Sequence, residues 1–415
     1  MPAPPGHTTS FGRPTMIQPP ANGMWPSPFN PGIAAWGGEE RTLRIADCTL
    51  RDGEQQAGIV MDREAKLEIA RMLDELGVYE IEAGTVASSE EDRAAIAAIV
   101  AAGLDARISV LCRGLTQDID LAASLGVWGV RLSFPISEVE RAHKLKGISN
   151  ADYLEKALML TRHARDKGLA VIFSPYDTTR AEPEFLAELV AALDRSGTVD
   201  RLRIVDTTGC ALPEAITDIV SRIRQAAPGL ALEIHCHNDF GLACANTLAG
   251  VRAGADYVSS TINGLGERCG NAATEDVVMA LEVLEGYRTG LKLETFQAIS
   301  RRVEALSRIP VPVNKAVVGA NAFRHEAGMV VAGVLKEPFT AESYKPEIVG
   351  QKREILLGKK SGLVSVAHKL GELGLTLPQE AHPALLDRVK VIATRERRAV
   401  TNDELRALVE EAKAA

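Results

Sequence analysis

Long apolar runs are missing from this sequence: no stretch approaches the ~18 consecutive hydrophobic residues that a membrane-spanning helix needs. Hydrophobic residues nevertheless make up 46% of the chain and charged residues 25%, which is typical of a folded globular protein. The sequence therefore predicts a soluble protein that does not use a membrane as a partner.

Clusters of basic residues are also missing. The chain has 47 Lys and Arg against 55 Asp and Glu, a formal net charge of -8, and its positive side chains are scattered. Nucleic acid and anionic membrane surfaces are therefore not expected as main partners. Any anionic ligand must be held by local arginines and lysines.

Paired cysteines are the third absence. None of the six cysteines stands in a CxxC pair, and most fall at or near the ends of predicted strands, so we expect reduced thiols in a cytoplasmic protein. Residues 1–40 are rich in Pro, Gly, Ser and Asn and lack the basic start and continuous apolar core of a secretory signal. They are predicted to form a flexible tail outside the fold, and no export is expected.

From residue 41 onward, short β-rich runs alternate with helical stretches. The predicted strands are 43–47, 79–83, 107–112, 127–132, 169–173, 201–206, 231–236 and 256–261. The segments between them are long enough for right-handed parallel crossovers. The fold class is therefore α/β: a (β/α)8 TIM barrel over 41–290, followed by a smaller, mainly helical C-terminal region over 291–415.

An open, doubly wound sheet is the alternative fold. Such a sheet usually carries a glycine-rich phosphate loop after its first strand. In this chain the corresponding loop reads TLRDGEQQAG, which is acidic and polar, so the barrel is favoured.

The stretch HCHNDFG follows the seventh predicted strand. Alternate residues of a strand share a face, so His235 and His237 should project the same way, and imidazoles suit zinc, iron and manganese. Two histidines in a polar loop would be an equally good interpretation if this motif stood alone. However, polar residues follow the other strands too, at the rim where barrel enzymes place their chemistry: Arg51, Asp52, Gln55, Glu82, Arg113, Ser174, Tyr176, Thr207 and Asn271.

Four groups of motifs carry a family resemblance: DCTLRDGEQQAG (47–58), HCHNDFGLACANTLAG (235–250), NGLGERCGNAA (263–273), and HEAG with LGKKSG (325–328 and 357–362). Together they resemble the DRE-TIM metallolyase superfamily, in its homocitrate synthase and 2-isopropylmalate synthase branch. The likeness is strongest to nitrogenase-associated homocitrate synthases. It implies a metal-dependent Claisen-type acyltransferase that condenses acetyl-CoA, or another acyl-CoA, with a 2-oxo acid.

The resemblance also implies roles for individual residues. Asp52, His235, His237 and Asn271 would bind a divalent metal (Mg, Mn or Zn). Arg51 would stabilise the oxyanion that develops on attack, while Gln55, Glu82, Arg113, Ser174 and Thr207 would form the 2-oxo acid pocket. The protein is expected to be a homodimer in which the C-terminal region of one subunit reaches over the barrel mouth of its partner.

Three positions depart from this family pattern. Tyr176, Val330 and Ala341 stand where the synthases usually have Glu, His and Tyr, and deprotonating a thioester methyl needs a positioned base. His325, Tyr176 or a water would have to substitute. A metal-dependent C–C lyase or aldolase on the same scaffold, and a catalytically inactive metal-binding homologue, therefore remain as alternatives.

Overall fold

In the computed structural model, the described residues are 22–30 and 42–414, and they fall into two compact units. The larger unit contains residues 28–30, 42–324 and 349–353, and the smaller contains residues 22–27, 325–348 and 354–414. The segment 291–324, which we expected in the C-terminal region, thus belongs to the larger unit. Most of the predicted tail lies outside the described residues.

The larger unit is a closed barrel of eight parallel strands paired in chain order. The strands are β1 (Arg44–Asp47), β2 (Glu80–Thr85), β3 (Arg107–Arg113), β4 (Gly129–Ser133), β5 (Ala170–Ser174), β6 (Arg201–Asp206), β7 (Ala231–Cys236) and β8 (Tyr257–Ser260). This confirms the predicted TIM barrel, and β1 closes the barrel by pairing with β8, for example at Asp47 and Ser260.

Helices surround the barrel. They are α1 (Arg63–Leu76), α2 (Glu90–Ala101), α3 (Thr116–Ser124), α4 (Glu138–Lys144), α5 (Asn150–Asp166), α6 (Pro183–Ser196), α7 (Pro213–Ala226), α8 (Ala243–Arg252), α9 (Thr274–Met279) and α10 (Phe296–Ser307). Local sequence explains their starts: Asp62 and Ser149 cap α1 and α5 by accepting backbone N–H groups, and proline begins α6 and α7. No helix in the described part of the chain is long and apolar enough to cross a membrane.

The barrel interior contains a network of charged side chains. Side chains of β2 and β6 meet across it, as in the 2.8 Å contact between Glu82 and Arg203, and strands that are not neighbours in the sheet can meet only through the interior. Arg131 and Arg201 join the same network through Glu233, each at 2.6 Å. These side chains are almost fully buried, so their charges must compensate one another.

The smaller unit is mainly helical, as predicted for the C-terminal region. It contains the short strands β9 (Arg324–His325, whose first residue is still counted with the larger unit) and β10 (Glu354–Ile355), with α11 (Gly328–Val334), α12 (Leu363–Glu372), α13 (His382–Glu396) and α14 (Asn402–Ala414). Leucines and valines of α12, α13 and α14 form its core. Residues from the predicted tail join this unit, because the Trp25 N–H donates to the Ser343 carbonyl at 2.7 Å.

Candidate active site

The loop after β1 begins with a π-helical turn over Thr49–Gly53, all of whose residues are buried. The N–H groups of Arg51, Asp52 and Gly53 all point to the Cys48 carbonyl, at 3.1, 2.8 and 3.1 Å. Such turns are uncommon and are often found at functional sites. This one places two consecutive charged side chains, Arg51 and Asp52, at the barrel mouth.

Three of the predicted metal ligands converge. Asp52 Oδ2 lies 3.2 Å from His235 Nε2 and 3.6 Å from His237 Nε2, and the two Nε2 atoms are 3.2 Å apart. Ligand atoms about 2.1 Å from a common metal ion would be roughly 3.0–3.4 Å apart at tetrahedral or octahedral angles. These side chains therefore present donor atoms at the separation that a divalent ion requires.

The fourth predicted ligand, Asn271, lies beside them. Its Nδ2 donates to Asp52 Oδ2 at 2.9 Å and to the Leu265 carbonyl at 3.0 Å. Its buried Oδ1, like the buried Nδ1 of His237, has no hydrogen-bond partner among the described residues. Because buried polar atoms are normally satisfied, the lone acceptor Oδ1 is consistent with a cation at this position.

The protonation states also suit a metal site. Burial lowers the pKa of His237 to about 4 and also lowers the pKa of His235, although the hydrogen bond to Asp52 opposes the second shift. Burial alone would raise the pKa of Asp52, but Arg51 and His235 hold it well below its usual range. Neutral imidazoles and an ionised carboxylate are the forms that bind metals.

Cys48 is near this centre but does not share it. Its sulfur lies 4.0 Å from His235 Nδ1, on the opposite side of the ring from the converging Nε2, and Ser259 Oγ is closer to Nδ1, at 3.0 Å. Burial raises the pKa of the Cys48 thiol, so it stays protonated. Ser259, which sequence analysis did not single out, instead orients the His235 ring from behind.

Arg51 is held rigidly beside the carboxylate. Its Nε and Nη2 donate to the two oxygens of Glu82 at 2.7 and 3.2 Å, and its Nη1 donates to Gln55 Oε1 at 3.2 Å. Burial would raise the pKa of Glu82, but Arg203 and Arg51 lower it to about 2. Glu82 therefore stays ionised and supports Arg51 from beneath; it does not line the cavity, where we had expected it to contact the 2-oxo acid.

A cavity of about 530 Å³ opens over these residues at the barrel mouth. Of the predicted site residues, its lining includes Arg51, Asp52, Gln55, Arg113, Ser174, Tyr176, Thr207, His235 and His237. Sequence reasoning missed Lys144 and Lys156, which also line it. Lys144 is the last residue of α4 and Lys156 lies on α5, so a search restricted to strand ends did not include them.

His325, the proposed substitute base, lies in the smaller unit. Its Nε2 is 3.0 Å from Glu342 Oε1, and both side chains are largely buried. The partner Glu342 was also missed by sequence reasoning, since it is 17 residues away along the chain. Val330 and Ala341 are exposed.

Comparisons with known proteins show the family of this chain. The HMGL-like family matches residues 42–303, and the homocitrate synthase post-HMGL domain-like family matches residues 317–397. The chain therefore belongs to the HMGL-like family, and the predicted resemblance to the DRE-TIM metallolyases is confirmed.

Individual relatives show which members of the family the chain is similar to. The chain is 45% identical to the homocitrate synthase AksA of Methanopyrus kandleri over 88% of this chain and 91% of that protein. It is 42% identical to the (R)-citramalate synthase CimA of Methanocaldococcus jannaschii over 84% of this chain and 70% of that protein. Among solved structures, the hydroxymethylglutaryl-CoA lyase from Pseudomonas aeruginosa has the same barrel fold, with a TM-score of 0.58, 22% identity, and coverage of 68% of this chain and 96% of that one.

Proposed function

We propose that this protein is a metal-dependent acyltransferase that condenses an acyl-CoA, acetyl-CoA in the first instance, with a 2-oxo acid. The observation that carries the proposal is the donor set of Asp52, His235 and His237 beside Arg51, in a chain that is 45% identical to a homocitrate synthase across 88% of its length. Both the barrel and the post-barrel family regions of such synthases are present.

The residues of the barrel mouth have different proposed roles. Asp52, His235, His237 and Asn271 would hold the metal, which would polarise the carbonyl of a 2-oxo acid. Arg51, fixed by Glu82, presents a guanidinium next to the keto oxygen, where negative charge develops during attack. The side chain of the 2-oxo acid would then extend into the cavity.

His325 is the proposed base for the acyl-CoA. Hydrogen bonding of its Nε2–H to the Glu342 carboxylate, 3.0 Å away, would leave Nδ1 with a free lone pair, the arrangement that orients a basic histidine. His325→Ala should abolish thiol release from acetyl-CoA, whereas His368→Ala, an exposed histidine of the same unit, should not. Equal rates in both variants would exclude His325 as the base.

The proposed reaction is tested by free-thiol release. Purified protein loaded with Mg²⁺, Mn²⁺ or Zn²⁺ is mixed with acetyl-CoA and each member of a 2-oxo acid panel, and thiol is followed colorimetrically. We expect release that depends on both the metal and the 2-oxo acid. Metal-loaded protein that releases no thiol from any acyl-CoA would contradict the proposal.

A C–C lyase or aldolase on the same scaffold is the second candidate. It is favoured by one observation: apart from the metal ligands, the titratable groups that line the cavity are cations, Tyr176 and the rim carboxylate of Glu267. Cleavage of a hydroxy acid would need no base for a thioester methyl. In that case the protein should leave acetyl-CoA intact and form a keto product from a hydroxy acid alone, and Val330→His with Tyr176→Glu should not create thiol release.

We also propose a homodimer with exchanged C-terminal regions, in the cytoplasm. The barrel rim exposes apolar side chains on four loops (Val60, Leu115, Leu212 and Phe240) and on α4 (Val139). The smaller unit exposes Met329, Val330, Leu363 and Val364. Exposed apolar patches commonly mark interaction surfaces, which supports the proposed dimer. The six free cysteines support the proposed location, because free thiols fit a reducing compartment.

A further inference from the structure

The cavity at the barrel mouth has two chemically different sides. The metal-ligand residues lie at or after the ends of β1, β7 and β8. Because the strands close the barrel in chain order, the ends of β3, β4 and β5 lie across the mouth from them. We call this opposite side the distal wall; it consists of Arg113, Leu115, Phe134, Lys144, Lys156 and Tyr176.

Two of the three cations in the distal wall are already compensated. Arg113 donates through Nε and Nη2 to both carboxylate oxygens of Asp118, at 2.8 and 3.0 Å. The Lys144 ammonium lies 2.6 Å from the Glu140 carboxylate. Each of these two cations therefore already has a carboxylate partner.

Lys156 differs from both. Among residues 22–30 and 42–414, no carboxylate lies within ion-pair distance of its ammonium. Its Nζ lies 5.1 Å from the centre of the Phe134 ring, a cation–π distance. The side chain is partly buried and lines the cavity, the space that a substrate would occupy.

The Phe134 ring against which Lys156 lies is itself held in place by its neighbours. Tyr153, which precedes Lys156 by one turn of α5 and so shares its helix face, stacks on the Phe134 ring with centres 4.3 Å apart, and its hydroxyl donates to the Phe134 carbonyl at 3.1 Å. A side chain at Gly114 would meet the same ring, since an added Cβ would lie 2.8 Å from Phe134 Cδ2. The distal wall is thus a packed surface on which Lys156 rests.

The deeper cations that line the cavity cannot replace Lys156. Arg131 and Arg203 are 1–2% exposed, and Glu233 Oε1 lies 2.6 Å from each of them. Their charges are already used by the ionic barrel interior. Among the residues that the structure describes, Lys156 is therefore the uncompensated cation of the distal side.

We propose that the substrate is a 2-oxo acid whose side chain ends in a second anionic group, and that Lys156 is the residue that selects it by pairing with that group. This inference rests on the proposed function for the orientation of the 2-oxo acid, whose keto and carboxylate oxygens face the metal ligands. The apolar side chains of Leu115 and Phe134 contact the methylene chain between the two charged ends.

The test measures binding rather than turnover. Calorimetry with metal-loaded protein compares 2-oxo acids of equal carbon number with and without a terminal carboxylate: 2-oxoglutarate with 2-oxopentanoate, and 2-oxoadipate with 2-oxohexanoate. We expect the dianionic member of at least one pair to bind about tenfold tighter or more, as for a charge-assisted hydrogen bond. The difference should shrink as salt is raised.

Variants then assign the difference to Lys156. Lys156→Met should reduce the preference by about tenfold while leaving the affinity for the monoanionic acids unchanged, and Lys156→Glu should reverse it. Arg162→Met, on the same helix but outside the cavity lining, is the control and should change neither. Equal affinities within each pair in the unaltered protein, or a preference that survives in Lys156→Met, would overturn the inference.

The binding test and the thiol-release test can have different outcomes, so the two proposals can be rejected separately. A dianionic preference that requires Lys156, found in a protein that releases no thiol from any acyl-CoA, would keep the inference and reject the proposed condensation. Equal thiol release with monoanionic and dianionic acids would support the proposed condensation and reject the inference about Lys156.

Discussion

Arg51 shows why this site needs an arginine. Its guanidinium reaches the two oxygens of Glu82 and the amide oxygen of Gln55 at the same time, at 2.7, 3.2 and 3.2 Å. A lysine ammonium at this position could keep the positive charge but not this planar set of contacts. The role of the residue therefore depends on direction as well as on charge.

We expect Arg51→Lys to lose about 10²–10³ in turnover, the usual cost of removing a group that stabilises an oxyanion. Metal content, measured by elemental analysis, should be unchanged because the ligands remain. His237→Ala is the opposite control and should lose the metal. Full turnover in Arg51→Lys, or loss of its metal, would contradict this separation of roles.

Asp47 carries a second prediction, about pH. It is fully buried, and burial raises its pKa to about 7 although the Thr49 N–H and hydroxyl donate to it. An unfolded aspartate titrates near ~3.9, so between about pH 4 and pH 7 the folded protein holds a proton that the unfolded chain releases. The contribution of Asp47 to stability should therefore fall as the pH rises through that window, by about 4 kcal/mol.

Urea unfolding at about pH 5 and about pH 8 checks this sign. The free energy of unfolding of Asp47→Asn should decrease less between the two pH values than that of the unaltered protein, because the amide does not titrate. Identical pH dependence of the two proteins would show that Asp47 is not the group responsible.

At the scale of elements, the loop after β1 is stabilised from the first helix. Lys66 of α1 is buried, and its ammonium contacts Glu54 at 2.5 Å and also Asp92. Glu54 in turn accepts the Met61 N–H at 2.9 Å. One buried lysine thus ties the loop that carries Arg51 and Asp52 to α1 and α2.

Lys66→Met should lower the free energy of unfolding by about 1–3 kcal/mol, less than for a fully buried pair because both carboxylates are partly exposed. It should also weaken metal binding, since Asp52 lies on the same loop. Lys413→Met, whose ion pair with Glu410 on α14 is exposed, should change neither quantity by more than about 0.5 kcal/mol. Unchanged metal affinity in Lys66→Met would show that the ion pairs of Lys66 do not affect metal binding.

The alternation of β-rich and helical stretches, with polar residues after the predicted strands, was enough to predict the barrel. The observed β6 and β7 have the predicted bounds, 201–206 and 231–236, and the other strands differ by one or two residues at their ends. The end of the barrel unit was missed, because an amphipathic helix such as α10 has the same pattern whether it covers a barrel or begins a new domain. In the structure it joins the barrel unit, where Arg302 pairs with Glu68 of α1 at 2.6 Å.

The site was predictable only in part, for a physical reason. His235 and His237 are close in sequence and Asp52 follows a strand, so their convergence can be inferred from barrel geometry. The partners Ser259, Glu342 and Asp118 act through side-chain direction and packing, which alternation of polar and apolar residues does not encode. Lys156 was missed for the same reason: its charge matters because no carboxylate in the described chain compensates it.

At the scale of the whole molecule, the candidate chemistry is divided between two units. The metal-ligand set and Arg51 lie in the larger unit, and His325 with Glu342 lies in the smaller one. If the smaller unit serves the barrel of the partner, as we propose for the dimer, each complete site takes residues from two chains. This arrangement can be tested without a structure of the assembly, because the two halves can be inactivated separately.

The test mixes two inactive variants, Arg51→Ala and His325→Ala, after reversible dissociation. In a dimer with exchanged regions, half of the reassembled molecules are hybrids, and each hybrid has one site in which both residues are intact. Roughly a quarter of the unaltered thiol-release activity should therefore return. Two copies of the same variant cannot form such a site, so each variant reassembled alone is the control. Size-exclusion chromatography with light scattering confirms that dimers have re-formed; re-formed dimers without any recovered activity would mean that Arg51 and His325 of a single chain serve the same site.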